Sequence, residues 1–170
     1  SNRKISVSHK PYIVSEMSGN HKGELKRALM LVEQSAKSGA NAIKLQTYTP
    51  STMTIRCNNS HFQIKKGLWA GYTLHDLYEY AHTPWAWHKE IFNLANDLGL
   101  HVFSTPFDKS SVDFLEKLDV PAYKIASFEI TDLELIEYVS STQKPVIVST
   151  GMASVEEIEE ALNIIEKSGN

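Results

Sequence analysis

A short apolar run followed by an amphipathic stretch occurs five times between Tyr12 and Ile165. Residues 12–17 read as the first strand, and Leu25, Leu29, Val32 and Ala36 then fall on one face at helical spacing, with Gly39 as the stop. Residues 42–46 are the second strand. Thr83-Pro84 predicts a helix start, with a capping threonine and proline in the first turn. Ile91, Leu94, Ala95 and Leu98 continue that helix to Gly99. Residues 101–105, 122–126 and 146–149 are the third, fourth and fifth strands. Val112, Leu115 and Leu118 mark a short helix after the third, and another is expected near 133–141. Ser154 with Glu157 makes a capping box ahead of the stripe Val155, Ile158, Leu162 and Ile165. Strands alternating with helices predict a parallel sheet with helical crossovers.

Two architectures share that pattern, an open doubly wound sheet and a barrel. The first strand is not followed by Gly-x-Gly-x-x-Gly, which counts against a dinucleotide fold. Polar residues stand at the C-terminal ends of successive strands: Glu16, then Lys44 and Gln46, then Thr105, then Lys124 with Ser127 and Glu129 just beyond, then Ser149. Chemistry spread along one rim belongs to barrels, whereas an open sheet concentrates it at a switch point. The expected fold is therefore α/β, a TIM-type (β/α)8 barrel, here its first five strand-helix units. Residues 1–10 are expected to form an N-terminal extension in which Ser1-Asn2 reads as a remnant of tag cleavage. Residues 11–170 form the barrel portion. Residues 48–83 are a long insertion, too rich in aromatics (Phe62, Trp69, Tyr72, Tyr78, Tyr80) for a disordered loop. Within it, 74–81 reads as helical.

Composition narrows the function. The chain is 42% hydrophobic and 22% charged with a net charge of −3, and acids interrupt its basic residues. Neither a nucleic acid nor an anionic membrane is an expected partner. No apolar run approaches the ~20 residues that span a bilayer, and no secretory pattern opens the chain. Cys57 is the sole cysteine, which excludes an internal disulfide. A cytoplasmic protein is expected.

Lys44 and Lys124 each lie in a strand between apolar neighbours. A lone strand lysine usually sits at an edge or snorkels to water. Two of them on inward-facing positions require an anion, and the hydroxyls of Thr105, Ser127 and Ser149 add donors at the same rim. The set suits a phosphate or carboxylate ligand, although either lysine also suits a Schiff base. Glu16 and Glu129 are candidates for proton transfer or for holding a sugar hydroxyl, or else ion-pair partners of the lysines. His21 reads as a structural hydrogen-bonding group. His61, His75, His82, His88 and His101 lack metal-ligand spacing and read as non-catalytic.

Five segments in order resemble the sialic acid synthase family: residues 16–21, 44–47, 104–108, 124–129 and 149–152. Met17-Ser18-Gly19, Phe128 between Ser127 and Glu129, and the insertion segment from 68–71 through 83–87 are similar to the pseudaminic acid branch of that family. The resemblance implies a barrel enzyme that joins phosphoenolpyruvate to an open-chain amino-sugar aldehyde, a 2,4-diacetamido-2,4,6-trideoxy altrose in that branch, and releases phosphate. N-acetylneuraminate and legionaminate synthases are the neighbouring alternatives. The resemblance assigns the phosphate to Lys44, Thr105, Lys124, Ser127 and Ser149, makes Gln46 a ligand-site residue and Phe107 a wall of the site, and places Glu16 and Glu129 as polar groups at the reacting centre. It implies a divalent metal, manganese or magnesium, whose ligands are expected on later strands than this chain carries, together with a further C-terminal domain. The 170 residues are then expected to be inactive alone. Five strands leave two open edges, so pairing of copies into a homodimer is expected.

Overall fold

The computed structural model describes residues 4–170; the reading of Ser1-Asn2 as a tag remnant lies outside the described residues. The elements follow in the order β1 (Val14–Glu16), α1 (Leu25–Lys37), β2 (Ala42–Thr47), α2 (Pro50–Met53), α3 (Leu74–Ala81), α4 (Trp85–Asp97), β3 (His101–Pro106), α5 (Lys109–Glu116), β4 (Tyr123–Ile125), a 3-10 helix (Ser127–Thr131), α6 (Leu133–Ser141), β5 (Val146–Val148) and α7 (Val155–Lys167). All strand pairings are parallel, and the strands stand in sequence order, β1-β2-β3-β4-β5. A doubly wound sheet reverses its order at a switch point. An order without reversal is that of a barrel, and five units of one are present.

The alternation of side chains divides each strand between two environments. Ile43, Leu45, Val102, Tyr123 and Ile125 face the helices and are buried. They pack against Val32, Ile91, Ala95, Val112 and Leu115, from the stripes that define those helices in the sequence, and against Leu135, Ile136 and Val139 of α6. The alternate positions turn to the barrel interior. Register places Glu16 beside Lys44, Lys44 beside Phe103, Gln46 beside Thr105, and Lys124 beside Ile147.

Local signals hold at most ends. Ser154 Oγ accepts from Glu157 N, and the Glu157 carboxylate accepts from Ser154 N, completing the expected capping box. Asp108 and Asp132 cap α5 and α6 by accepting first-turn backbone N–H groups, without the reciprocal bond of a capping box. Thr83 departs from expectation. Helix α4 is preceded directly by Pro84 with no side-chain cap, while Thr83 is buried and its hydroxyl meets His21 Nε2 at 3.3 Å. A buried hydroxyl needs a partner, and here a tertiary contact took it from the helix end.

Behind β2 and β3, polar side chains form a closed chain. Thr47 Oγ1 lies 2.7 Å from Ser104 Oγ and 2.9 Å from His88 Nε2, and His88 Nδ1 donates to the Pro84 carbonyl at 3.3 Å. His88 is fully buried, and burial pushes its pKa down to about 4. Above pH 6.5 it is neutral in both folded and unfolded chains. Between about 6.5 and about 4 only the unfolded chain binds the proton, so stability falls as the medium is acidified, by about 3 kcal/mol in full. His88→Gln removes the titration. Urea unfolding at several pH values is expected to show a shallower acid slope in the variant over that window. Equal slopes would exclude His88 as the titrating group.

Candidate active site

The inward face of the strands gathers the charged residues at its C-terminal rim. Lys44 Nζ lies 2.5 Å from Glu16 Oε2, and it donates to Thr105 Oγ1 at 3.5 Å. Thr105 is buried. Lys124 Nζ donates to Ser149 Oγ, immediately after β5, and to the Ile125 carbonyl. Lys124 therefore has only neutral hydrogen-bond acceptors, and no carboxylate lies within ion-pair distance of it among the described residues. Burial first, and then the neighbouring Lys44 charge, lower its pKa from the ordinary lysine value, while Glu129 and Glu16 partly offset this. Two ammonium groups thus share a rim on which one carboxylate is committed to Lys44.

Glu129 sits in the 3-10 helix that follows β4. Burial raises its pKa above the usual carboxylate range, Asp132 adds to this, and Lys124 opposes it. Its Oε2 is buried without a hydrogen-bond partner. An unmet buried carboxyl oxygen is costly, and such atoms in native folds await a ligand or a proton. Glu16 and Glu129 thus differ: one is a structural ion-pair partner at present, the other is not.

The remaining expected residues line the same rim. Gln46, Phe107 and Glu129 border a cleft of about 440 Å³ together with Tyr48, Met53, Tyr78, Ala126 and Phe128. Phe107 and Tyr78 both pack edge-on against Tyr48, with ring centroids 5.4 and 5.7 Å away. Ser127 is brought less close. Its hydroxyl lies 2.9 Å from where a Cβ on Gly151 would stand, so it packs on the loop after β5 and makes no hydrogen bond to either lysine among the described residues. A side chain at 151 would have to displace the Ser127 hydroxyl.

The sequence reasoning missed Tyr48, Met53 and Tyr78, all within the insertion. Tyr48 had a signal: it continues the inward-facing series of Lys44 and Gln46 by the same two-residue step. Met53 had none, because the four-residue helix α2 that carries it was not foreseen. His21, read in the sequence as a structural hydrogen-bonding group, makes such bonds at the foot of the β1 loop. It is buried, accepts from Gly23 N at 3.1 Å through Nδ1, and meets Trp87 edge-on at 5.5 Å.

The NeuB family model matches residues 31–170. The chain belongs to the NeuB family. Among NeuB relatives it is 44% identical over 166 residues to a pseudaminic acid synthase of Campylobacter jejuni, covering 98% of this chain and 48% of that protein. It is 45% identical over 160 residues to a pseudaminic acid synthase of Helicobacter pylori, covering 94% and 47%. The chain spans about half the length of the curated relatives it matches. Its fold also matches the crystal structure of the N-acetylneuraminic acid synthetase of Leptospira borgpetersenii in complex with citrate, with a TM-score of 0.80, 28% identity, and 94% of this chain aligned to 51% of that one. That match agrees with the barrel reading. No helix among the described residues is long and apolar enough to cross a membrane.

Proposed function

We propose that this chain is the anion-gripping half of a pseudaminic acid synthase, which condenses phosphoenolpyruvate with a 2,4-diacetamido-2,4,6-trideoxy altrose. The observation that carries the reading is Lys124, partly desolvated beside Lys44 and satisfied only by neutral acceptors. Such a cation is stabilised by an incoming phosphate or carboxylate far more than by water at the same place. Lys44, Thr105 and Ser149 extend the grip, and Ser127 joins it once the ligand bridges the gap from the β4 loop. Gln46, Phe107 and Glu129 face the sugar.

In the reaction, the enol π pair of phosphoenolpyruvate attacks the aldehyde carbon and forms the new C–C bond. The aldehyde oxygen takes a proton, for which Glu129 is suited because it retains one to higher pH than an exposed carboxyl. Water adds to the resulting cationic centre, and phosphate leaves to give the keto acid. Holding both reactants at one rim supplies the positioning that a bimolecular step lacks. The family resemblance also implies a divalent metal. Among the described residues, no three His, Cys, Asp or Glu side chains come together to hold one, so no step here is routed through it.

The lowered pKa of Lys124 also favours a second reading, a Schiff-base aldolase. The two separate cleanly. Extended to the length of its relatives, the protein is expected to release phosphate only when phosphoenolpyruvate and the diacetamido sugar are both present, and borohydride is expected to trap no adduct. Inactivation by borohydride with a keto acid, without phosphate release, would establish the aldolase instead.

A further inference from the structure

Tyr48 directly follows β2 and is held from several sides. Trp85 Nε1 donates to its carbonyl at 3.2 Å. Tyr78 and Phe107 pack edge-on against its ring, and the His82 ring lies 6.5 Å away. Tyr48 is only 4% exposed, yet it lines the cleft. Its hydroxyl makes no hydrogen bond among the described residues. Tyr123, likewise buried, shows what the fold supplies elsewhere: its Oη donates to Glu116 Oε1 at 2.6 Å. A buried phenol ordinarily has such a partner.

The same cleft holds the unmet Oε2 of Glu129. Two hydrogen-bonding groups without protein partners therefore border one cavity, and a ligand seated there meets both. The lining includes no lysine, arginine or histidine to balance an anion, and the Glu129 carboxyl would oppose one. Burial first, and then Tyr78, push the Tyr48 pKa up to about 12, so the phenol itself is uncharged below that. We propose that the Tyr48 hydroxyl is a substrate-contacting group, hydrogen-bonded to an uncharged oxygen of the sugar, and that the rings around it aim it into the cleft. A sugar hydroxyl accepts from a phenol or donates to it, and a carbonyl accepts, so the contact forms with either polarity. Phosphoenolpyruvate, whose charge belongs at the lysines, does not need it. The identity of the ligand as a sugar rests on the synthase reading; the unpartnered phenol on the cleft does not.

Tyr48→Phe removes the hydroxyl and keeps the ring. In this chain its melting midpoint is expected to equal or exceed that of the wild type, whereas Tyr123→Phe is expected to lower it by removing the bond to Glu116. A midpoint lowered as in Tyr123→Phe would mean a bond within the protein and overturn the proposal. In the protein extended to the length of its relatives, Tyr48→Phe is expected to lower kcat/KM for the diacetamido sugar about tenfold, with KM for phosphoenolpyruvate unchanged. Unchanged kcat/KM for the sugar, or an equal rise in KM for phosphoenolpyruvate, overturns it. If the unsubstituted extended protein makes no product, the synthase reading fails instead, and a second measurement decides the role of Tyr48. Tyrosines are labelled with ¹³C at the hydroxyl-bearing ring carbon, and the Tyr48 signal is identified by its loss in Tyr48→Phe. That signal is expected to shift saturably as the diacetamido sugar is added. A signal that stays in place through the whole titration overturns the proposal.

Discussion

Lys124→Ala is expected to weaken phosphoenolpyruvate binding at least tenfold without lowering the melting midpoint. The two halves of that expectation have one cause. The ammonium is partly desolvated and repelled by Lys44, so the free protein gains little from it. A bound anion gains a charged hydrogen bond, typically about 1.5–3 kcal/mol. Lys44→Ala is expected to weaken binding by a similar factor but to cost stability as well, because it strands the Glu16 carboxylate now 2.5 Å from Nζ. The double variant should lose less than the sum, since both lysines serve one ligand. The pH dependence follows with its sign. Anion binding needs the protonated amine, so affinity is expected to fall as pH rises through the depressed Lys124 value, earlier than for an ordinary lysine. Titration calorimetry with phosphoenolpyruvate on the wild type and the three variants measures all of this. Unchanged affinity in both single variants would remove the anion site altogether.

The barrel was legible because its determinants are local. Period-2 and period-3.6 apolar patterns, and polar residues at strand ends, survive in a single sequence. The strand parity that put Lys44 and Gln46 on one face also put them on one rim, beside Phe103 and Thr105 in the register. What was not legible depends on contacts between distant segments. Thr83 looks like a helix cap until His21, 62 residues away, takes its hydroxyl. The insertion reads as a helix within a loop, and although strand parity points Tyr48 inward, nothing in its sequence says that Met53 and Tyr78 would converge with it on Phe107 and Glu129. Glu16 and Glu129 look alike as carboxylates near lysines. Their difference, one paired and one with an unmet buried oxygen, arises from the 3-10 helix after β4, which no propensity announced.

That difference makes Glu129→Gln the sharpest test of the reacting centre. The substitution keeps the volume and a hydrogen-bonding head but can neither hold nor release a proton. Turnover in the protein extended to the length of its relatives is expected to fall by roughly 10²–10⁴, the usual contribution of a positioned acid or base. Stability is expected to move the other way. Burial raises the folded-state pKa of Glu129 above its unfolded value. As pH climbs past the unfolded value, the unfolded chain loses its proton first, so the folded state is penalised from there up to neutral pH. A neutral amide removes the penalty, and the variant is expected to melt no lower than the wild type at pH 7 and to lose the wild type's decline across the carboxylate range. Gain of stability with loss of rate is the pattern of a group kept for its chemistry rather than for the fold. The opposite pattern, an early-melting variant that retains its rate per folded molecule, would make Glu129 a structural carboxyl and leave the proton to another donor at the rim.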